Sequence, residues 1–243
     1  MSTYVLIHGA WHGGWCWEEV RARLEQDGHT VAAPDLPGHG DDRTPTAEVT
    51  LDAYARRVCD VLDAQTEPVV LVGHSMGGVV ITAAAERRPH RIAALVYLCA
   101  FLPGDGDTLM KLAGGDQTSL VLPNLEVSEE QGFATVRDQG IVPAFYARCS
   151  ASDAASAKAR LVPQPLEPFN APVTVTQERA GRVPRYYVEC LEDRAIPLAL
   201  QRSMLAAHPC RRVFTLDTDH SPFFSAVEEL MDCLLQVGTL EAD

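Results

Sequence analysis

Pro68-Val-Val-Leu-Val-Gly-His-Ser-Met-Gly-Gly78 is the stretch on which the reading of this chain turns. Its first half is a near-continuous apolar run closed by Gly73, the pattern of a strand buried on both faces of a parallel sheet. Its second half is a GxSxG sequence, Gly73 to Gly77, leading into an alanine-rich stretch that reads as a helix over 77–88 and ends near Pro89. A serine on a sharp strand-to-helix turn is held in strained backbone and projects its hydroxyl above the sheet edge. Residues two before and two after it must be tiny, or they would collide with neighbouring backbone. Alone, GxSxG is a weak signal, and a glycine-rich turn with a surface serine would explain it as well. Between a buried strand and a helix it points to Ser75 as a nucleophile.

Outward from this turn the chain alternates strand and helix. Short apolar runs over 4–8, 29–34, 92–101, 185–191 and 211–217 read as strands. Helical spacing of apolar residues marks 15–26, 51–64, 198–207 and 227–237; over 51–64, Leu51, Tyr54, Val58, Val61 and Leu62 form one stripe. Such alternation means a mostly parallel sheet with helices on both faces. The rhythm breaks between Pro103 and Val183. That stretch carries two helix-capping patterns, Ser128-x-x-Gln131 and Ser150-x-x-Asp153, and a proline-rich strip over 163–172. About eighty residues without a strand predict an inserted helical lid, because a structureless loop of that length is rare. The expected organisation is therefore an α/β core over 1–102 and 184–243, with a helical lid over 103–183.

Composition narrows the function classes. Of 243 residues, 47% are apolar and 22% charged, which suits one folded domain. A formal net charge of −13 repels nucleic-acid phosphates and anionic lipid surfaces, so neither is an expected partner. No stretch approaches a bilayer span, and the amino terminus lacks a secretory pattern. The seven cysteines are scattered and never spaced CxxC, which fits free thiols in the cytoplasm. No histidine pair has ligand spacing, so no metal or other cofactor is expected. A homodimer is one assembly open to such a chain.

Ser75 needs a base, since a neutral hydroxyl is a poor nucleophile. The order serine, acid, histidine asks for an acid after a late strand and a histidine after the last one. His220 follows the run ending at Leu216 and precedes the closing helix, and Asp193 follows the run ending at Leu191. Asp105 or Asp107, after the strand ending at Phe101, could serve instead. Glu192, Asp217 and Asp219 read as solvated loop carboxylates, and His39 and His74 as supports of the site loops. Ester cleavage builds charge on the carbonyl oxygen, and two backbone donors can hold it. One is the N–H of Met76, directly after the nucleophile; the other is the N–H of Ala10 in the glycine-rich loop His8-Gly-Ala-Trp-His-Gly-Gly14.

Five stretches together resemble the plant methylesterase and hydroxynitrile lyase group of α/β-hydrolases and its bacterial esterase relatives. They are Val5-Leu-Ile-His-Gly-Ala-Trp-His-Gly-Gly-Trp-Cys-Trp17, Asp35-Leu-Pro-Gly-His-Gly40, Gly73-His-Ser-Met-Gly-Gly78, Val183-Pro-Arg-Tyr-Tyr-Val-Glu-Cys-Leu-Glu-Asp-Arg-Ala-Ile-Pro197 and Thr218-Asp-His-Ser-Pro-Phe-Phe-Ser225. They lie at both ends of the chain, and the segment between matches poorly. The resemblance implies an α/β-hydrolase fold with a six-stranded sheet, a Ser75–Asp193–His220 triad and an oxyanion hole of Ala10 and Met76. It also implies small-molecule esters as substrates, in particular methyl esters of small aromatic or lipid-derived acids. Lyase members carry a threonine after the first-loop histidine and a lysine after the catalytic histidine. Here those positions are Gly9 and Ser221, which favours ester hydrolysis.

The substrate is expected to touch Gly9, Trp11, His12, Phe133, Phe145, Tyr146 and Phe223. The pocket should lie under the lid, with Leu109, Met110 and Leu122 also available to its wall. Two other readings use the same residues. One is a ligand receptor built on a hydrolase fold, with slow or vestigial chemistry. The other is a tailoring methylesterase, thioesterase or cyclase of aromatic-polyketide metabolism.

Overall fold

A computed structural model of the chain describes residues 1–241; the last two residues of the expected core segment lie outside the described residues. Six parallel strands form the central sheet: β1 (Thr3–Ile7), β2 (Thr30–Ala32), β3 (Val69–His74), β4 (Ile92–Leu98), β8 (Arg185–Cys190) and β9 (Arg212–Leu216), in the order β2-β1-β3-β4-β8-β9. β3 is buried along its whole length, and β4 nearly so, as their unbroken apolar sequences require. The edge strand β9 instead alternates, exposing Arg212, Val213 and Thr215 while burying Phe214 and Leu216.

Helices pack on the sheet through the stripes visible in the sequence. Helix α2 (Leu51–Asp63) buries Leu51, Tyr54, Val58 and Leu62, and the Thr50 hydroxyl caps it by accepting the Ala53 N–H. α1 (Glu18–Gln26), α3 (Gly77–Arg87), α8 (Leu198–Ala207), the short α9 (Pro222–Ser225) and α10 (Val227–Leu240) complete the layers. From β1 the chain runs outward to β2, then returns to place β3 on the other side of β1. The crevice between the carboxyl ends of β1 and β3 is the reversal point where open α/β sheets gather ligands.

The segment between β4 and β8 corrects the expectation of a purely helical lid. It holds the helices α4 (Leu109–Ala113), α5 (Asp138–Phe145), α6 (Ala151–Arg160) and α7 (Glu167–Asn170). It also holds a three-stranded antiparallel sheet of β5 (Leu125–Ser128), β6 (Phe133–Val136) and β7 (Gln164–Pro165). Ser150 caps α6 as its sequence pattern suggests, accepting the Asp153 N–H at 3.1 Å. Ser128 does not start a helix. Its carbonyl accepts the Gly132 N–H at 2.8 Å, and Gly132 takes a φ of 71°, so the pattern closes a hairpin between β5 and β6. Buried side chains of this insertion, among them Phe145, Tyr146 and Phe169, join the same apolar core as the sheet.

Candidate active site

The turn after β3 has the strain that its sequence implies. Ser75 sits at φ 56°, a left-handed conformation that costs an L-residue roughly 1–2 kcal/mol. The surroundings over-determine it: the Ser75 N–H donates to the Leu98 carbonyl at 3.3 Å, and its carbonyl accepts from Gly78 and Phe101, both at 3.1 Å. A Cβ at Gly73 would stand 2.5 Å from the Gly77 oxygen, and one at Gly78 would stand 2.1 Å from the Phe101 oxygen. Glycine is therefore the only fit at both positions, and α3 starts directly beneath the serine.

His220 and Asp193 come together on the loops after β9 and β8. The His220 Nδ1 lies 2.8 Å from Asp193 Oδ2, with both side chains buried. The other carboxylate oxygen accepts the backbone N–H of Ala195 at 2.7 Å and of Ile196 at 2.8 Å. A carboxylate facing Nδ1 keeps the proton there and turns Nε2 into a free base. The His220 ring centroid is 4.5 Å from that of His74, the residue preceding Ser75. Asp105 and Asp107 are occupied elsewhere, the first accepting the Val175 N–H and the second pairing with Lys111.

His74 and Cys99 both donate to the His220 carbonyl, at 2.7 and 3.5 Å. His74, Cys99 and His220 thus bring possible metal-ligating atoms within 4.8 Å of one another, and a backbone oxygen engages the first two. Burial, followed by the nearby His220 ring, holds His74 well below the usual imidazole range, so it serves as a neutral donor.

On the facing side, the loop after β1 carries Ala10 and Trp11. Among the described residues neither the Ala10 nor the Met76 backbone N–H has an acceptor within the protein, and both residues line the same cavity as Ser75. The His8 ring bridges two loops: its Nδ1–H donates to the Gly9 carbonyl at 2.8 Å while Nε2 accepts the Leu36 N–H at 3.0 Å. The Gly9 carbonyl and the Ala10 N–H belong to one peptide unit and point in opposite directions. His8 thereby fixes the direction of the Ala10 N–H.

The cavity above Ser75 measures about 50 Å³. Its wall is apolar, with Phe101, Leu122, Leu125, Phe145, Phe169 and Ile196 among its residues, and Ser119 and Ser75 bring hydroxyls to it. Among the described residues no charged side chain lines it. Of the residues expected to touch substrate, Trp11 and Phe145 reach this wall, as do Leu109 and Met110.

The other five lie off the wall. Gly9 packs beneath Ser75, where a Cβ would stand 2.8 Å from the Ser75 Cβ. His12 and Tyr146 are turned toward each other, with His12 Nε2 2.7 Å from Tyr146 Oη. Phe223 is fully buried and edge-on to His74, at 4.9 Å between ring centres. Phe133 belongs to the outer hairpin, paired with Ser128 and Pro165. Aromatic type alone does not separate wall from packing, because both need large apolar rings.

Asp219 also departs from its expected place. It is 1% exposed, and its carboxylate accepts from the Arg148 N–H at 2.7 Å, the Ser221 N–H at 3.1 Å and the Ser225 hydroxyl at 2.6 Å. It ties the His220 loop to the insertion. The insertion reaches the acid loop too: the Leu120 N–H donates to the Arg194 carbonyl at 2.8 Å, and the Ser119 hydroxyl to Ala195 at 2.9 Å. It reaches the first loop through the Val162 N–H, which donates to the Trp11 carbonyl at 2.9 Å, and through the Trp11 indole, which donates to Ala134 at 2.9 Å.

Comparison with known proteins agrees with this architecture. Residues 4–232 match the model of the alpha/beta hydrolase family. Methylesterase 7 of Arabidopsis thaliana is 32% identical over 250 residues, covering 98% of this chain and 96% of its own. A carbendazim hydrolyzing esterase of Nocardioides is 46% identical over 114 residues, 46% of this chain and 47% of its own. Among solved structures, a pyrethroid hydrolase from Sphingobium faniae superposes with a TM-score of 0.90 at 29% identity, over 99% of this chain and 98% of its own. Among the described residues no helix is long and apolar enough to cross a membrane. The chain belongs to the alpha/beta hydrolase family, on its methylesterase-like branch, and is a carboxylic ester hydrolase.

Proposed function

We propose that the protein is a serine esterase that cleaves small, neutral carboxylic esters through an acyl-enzyme on Ser75. The observation that carries this reading is the buried His220–Asp193 contact at 2.8 Å, with the His220 ring 4.5 Å from that of His74, the residue before a left-handed serine that opens into an apolar cavity.

His220 Nε2 takes the Ser75 proton as the Ser75 Oγ attacks the ester carbonyl. The Ala10 and Met76 N–H groups hold the oxyanion; each preorganised donor of this kind is worth about 2.7–4 kcal/mol. His220, now charged and stabilised by Asp193, protonates the leaving alcohol. Water then attacks the acyl-enzyme with His220 again as base, and the acid leaves. Among the described residues an anionic product finds no cation on the cavity wall, so the same apolar lining that admits a neutral ester favours release of its acid. With Ser221 where lyase members carry a lysine, and no cation lining the cavity among the described residues, departing cyanide lacks a cationic partner on the wall, which speaks against lyase chemistry.

The volume bears on substrate size. About 50 Å³ holds one or two water-sized groups, so short acyl chains fit as the pocket stands and longer ones require Leu122 or Leu125 to yield. The acyl part of methyl or aryl esters of small acids, such as an acetyl group, matches this space.

The test is hydrolysis of p-nitrophenyl acetate and a panel of aryl methyl esters by the wild type and by Ser75→Ala. A loss of roughly 10³-fold or more in the variant is expected. Equal rates in both proteins, or no turnover by the wild type, would overturn the reading.

A further inference from the structure

The loop that supplies the Ala10 N–H is bent at Trp11, which takes a φ of 62°. A bulky residue in that region is strained, and the strain persists only if neighbours hold it. One such restraint runs through His12. Its Nδ1 lies 2.8 Å from the Ala10 carbonyl, and its Nε2 lies 2.7 Å from Tyr146 Oη. A carbonyl can only accept, so the proton of neutral His12 sits on Nδ1. Nε2 then carries a lone pair, and the Tyr146 hydroxyl must be the donor. Both side chains are 1% exposed. Tyr146 stands directly after α5, in the insertion, while His12 belongs to the first catalytic loop.

We propose that Tyr146 and His12 are a positioning pair that sets the oxyanion loop, so that the insertion takes part in catalysis as well as covering the pocket. The proposal rests on the serine-esterase reading. Two histidines hold the backbone on either side of Ala10: His8 grips the preceding peptide by the Gly9 carbonyl, and His12 grips the following one by the Ala10 carbonyl. His8 takes its tautomer from the Leu36 N–H within the core, but His12 takes its tautomer from the insertion. Without the Tyr146 hydroxyl, the proton of His12 is free to move to Nε2. Nδ1 would then present a lone pair to the Ala10 carbonyl and repel it. Burial also pulls the His12 pKa down to about 4, so the ring stays neutral near pH 7 and its tautomer is the only variable.

The experiment compares Y146F, H12N and the double variant with the wild type and Ser75→Ala. Hydrolysis of p-nitrophenyl acetate gives kcat and KM. Affinity for an aryl trifluoromethyl ketone gives a readout of the hole without turnover. Ser75 Oγ adds to the ketone carbon, the carbonyl π pair becomes the oxyanion, and the serine proton passes to His220. H12N keeps an amide N–H that can reach the Ala10 carbonyl but has no Nε2 for Tyr146.

In Y146F, kcat should fall about 10- to 100-fold at nearly constant KM, and ketone affinity should fall by a similar factor. In the H12N background Y146F should add nothing, since the hydroxyl has lost its acceptor. A folded Y146F with kcat and ketone affinity within about twofold of wild type, or losses that multiply in the double variant, would overturn the proposal while leaving the esterase reading intact. Should Y146F not fold, H12A, which removes the grip on the Ala10 carbonyl, is read by the same two measurements: similar losses are expected, and values within about twofold of wild type would overturn the proposal. A wild type without Ser75-dependent turnover would overturn the esterase reading, and the pair's role with it.

Discussion

Asp193 meets His220 with one carboxylate oxygen, at 2.8 Å, while the other is already claimed by the Ala195 and Ile196 amides. The acid is thus clamped by its own loop before it touches the histidine. Asp193→Asn tests what that clamp delivers. The side-chain oxygen can keep the two amides, but an NH₂ then faces His220 Nδ1 and favours the tautomer protonated on Nε2. A fall in kcat of order 10⁴-fold with little change in melting temperature is the expected outcome. A fall below about 10-fold would show that some other group orients His220.

Acid should destabilise the fold well above the carboxylate range. His8, His12 and His74 are buried and held below the ordinary imidazole value, mainly by loss of solvation, His12 down to about 4. Their folded pKa values lie below the unfolded one, near 6.5, so below that pH the unfolded chain binds protons that the folded one refuses. The contribution of these histidines is therefore complete well above 6.5 and falls as pH drops toward the folded values, by about 1.4 kcal/mol per pH unit for each such histidine. Urea unfolding measured at steps from pH 7.5 to 5 should show this slope, and a flat profile would contradict it.

Two glycine substitutions separate crowding from backbone strain. At Gly78 an added Cβ would stand 2.1 Å from the Phe101 oxygen, so Gly78→Ala must push α3 off the segment that follows β4. A loss of about 3 kcal/mol or more, or failure to fold, is expected. At Gly106 the φ of 74° is strained for alanine but nothing lies within 4 Å, so Gly106→Ala should cost only about 1 kcal/mol. Thermal unfolding of both variants checks the order.

Widening the pocket should shift preference toward longer acyl chains. Leu122 lines the cavity but is only half-buried, so Leu122→Ala can enlarge the space at modest cost to the fold. With each newly buried methylene worth about 0.8 kcal/mol, the ratio of kcat/KM for p-nitrophenyl hexanoate over acetate should rise roughly 10-fold. An unchanged ratio would place the acyl group elsewhere.

The central sheet is legible because β3 and β4 are buried on both faces and their sequences are correspondingly unbroken. The turn at Ser75 is legible for a related reason: backbone packed at 2–3 Å from a would-be Cβ permits only glycine, which leaves a mark in the sequence. The insertion is harder. β5 and β6 have four residues each, too few for alternation to stand out from a helical pattern. The sequence leaves three carboxylates open as partners of His220, and only the fold shows that Asp193 is the one in contact. Asp217 and Asp219 look alike in the chain, yet one is exposed and the other buried, because the Arg148 N–H arrives from seventy residues away. Tyr146 and His12 read as wall residues for the same reason: their mutual contact spans 134 positions and leaves no local trace.

The hydrogen bonds from the insertion to Trp11, to Arg194 and Ala195, and to Asp219 bear on how such an enzyme can be altered. A segment transplanted from a relative would bring its own pocket wall, but it would also have to supply donors and acceptors for three loops it never evolved beside. Turnover would then change along with preference. Inheritance of a new substrate range in this architecture requires the insertion and the loops below it to drift together, and a mismatched pair would be selected against even where the new ester fits.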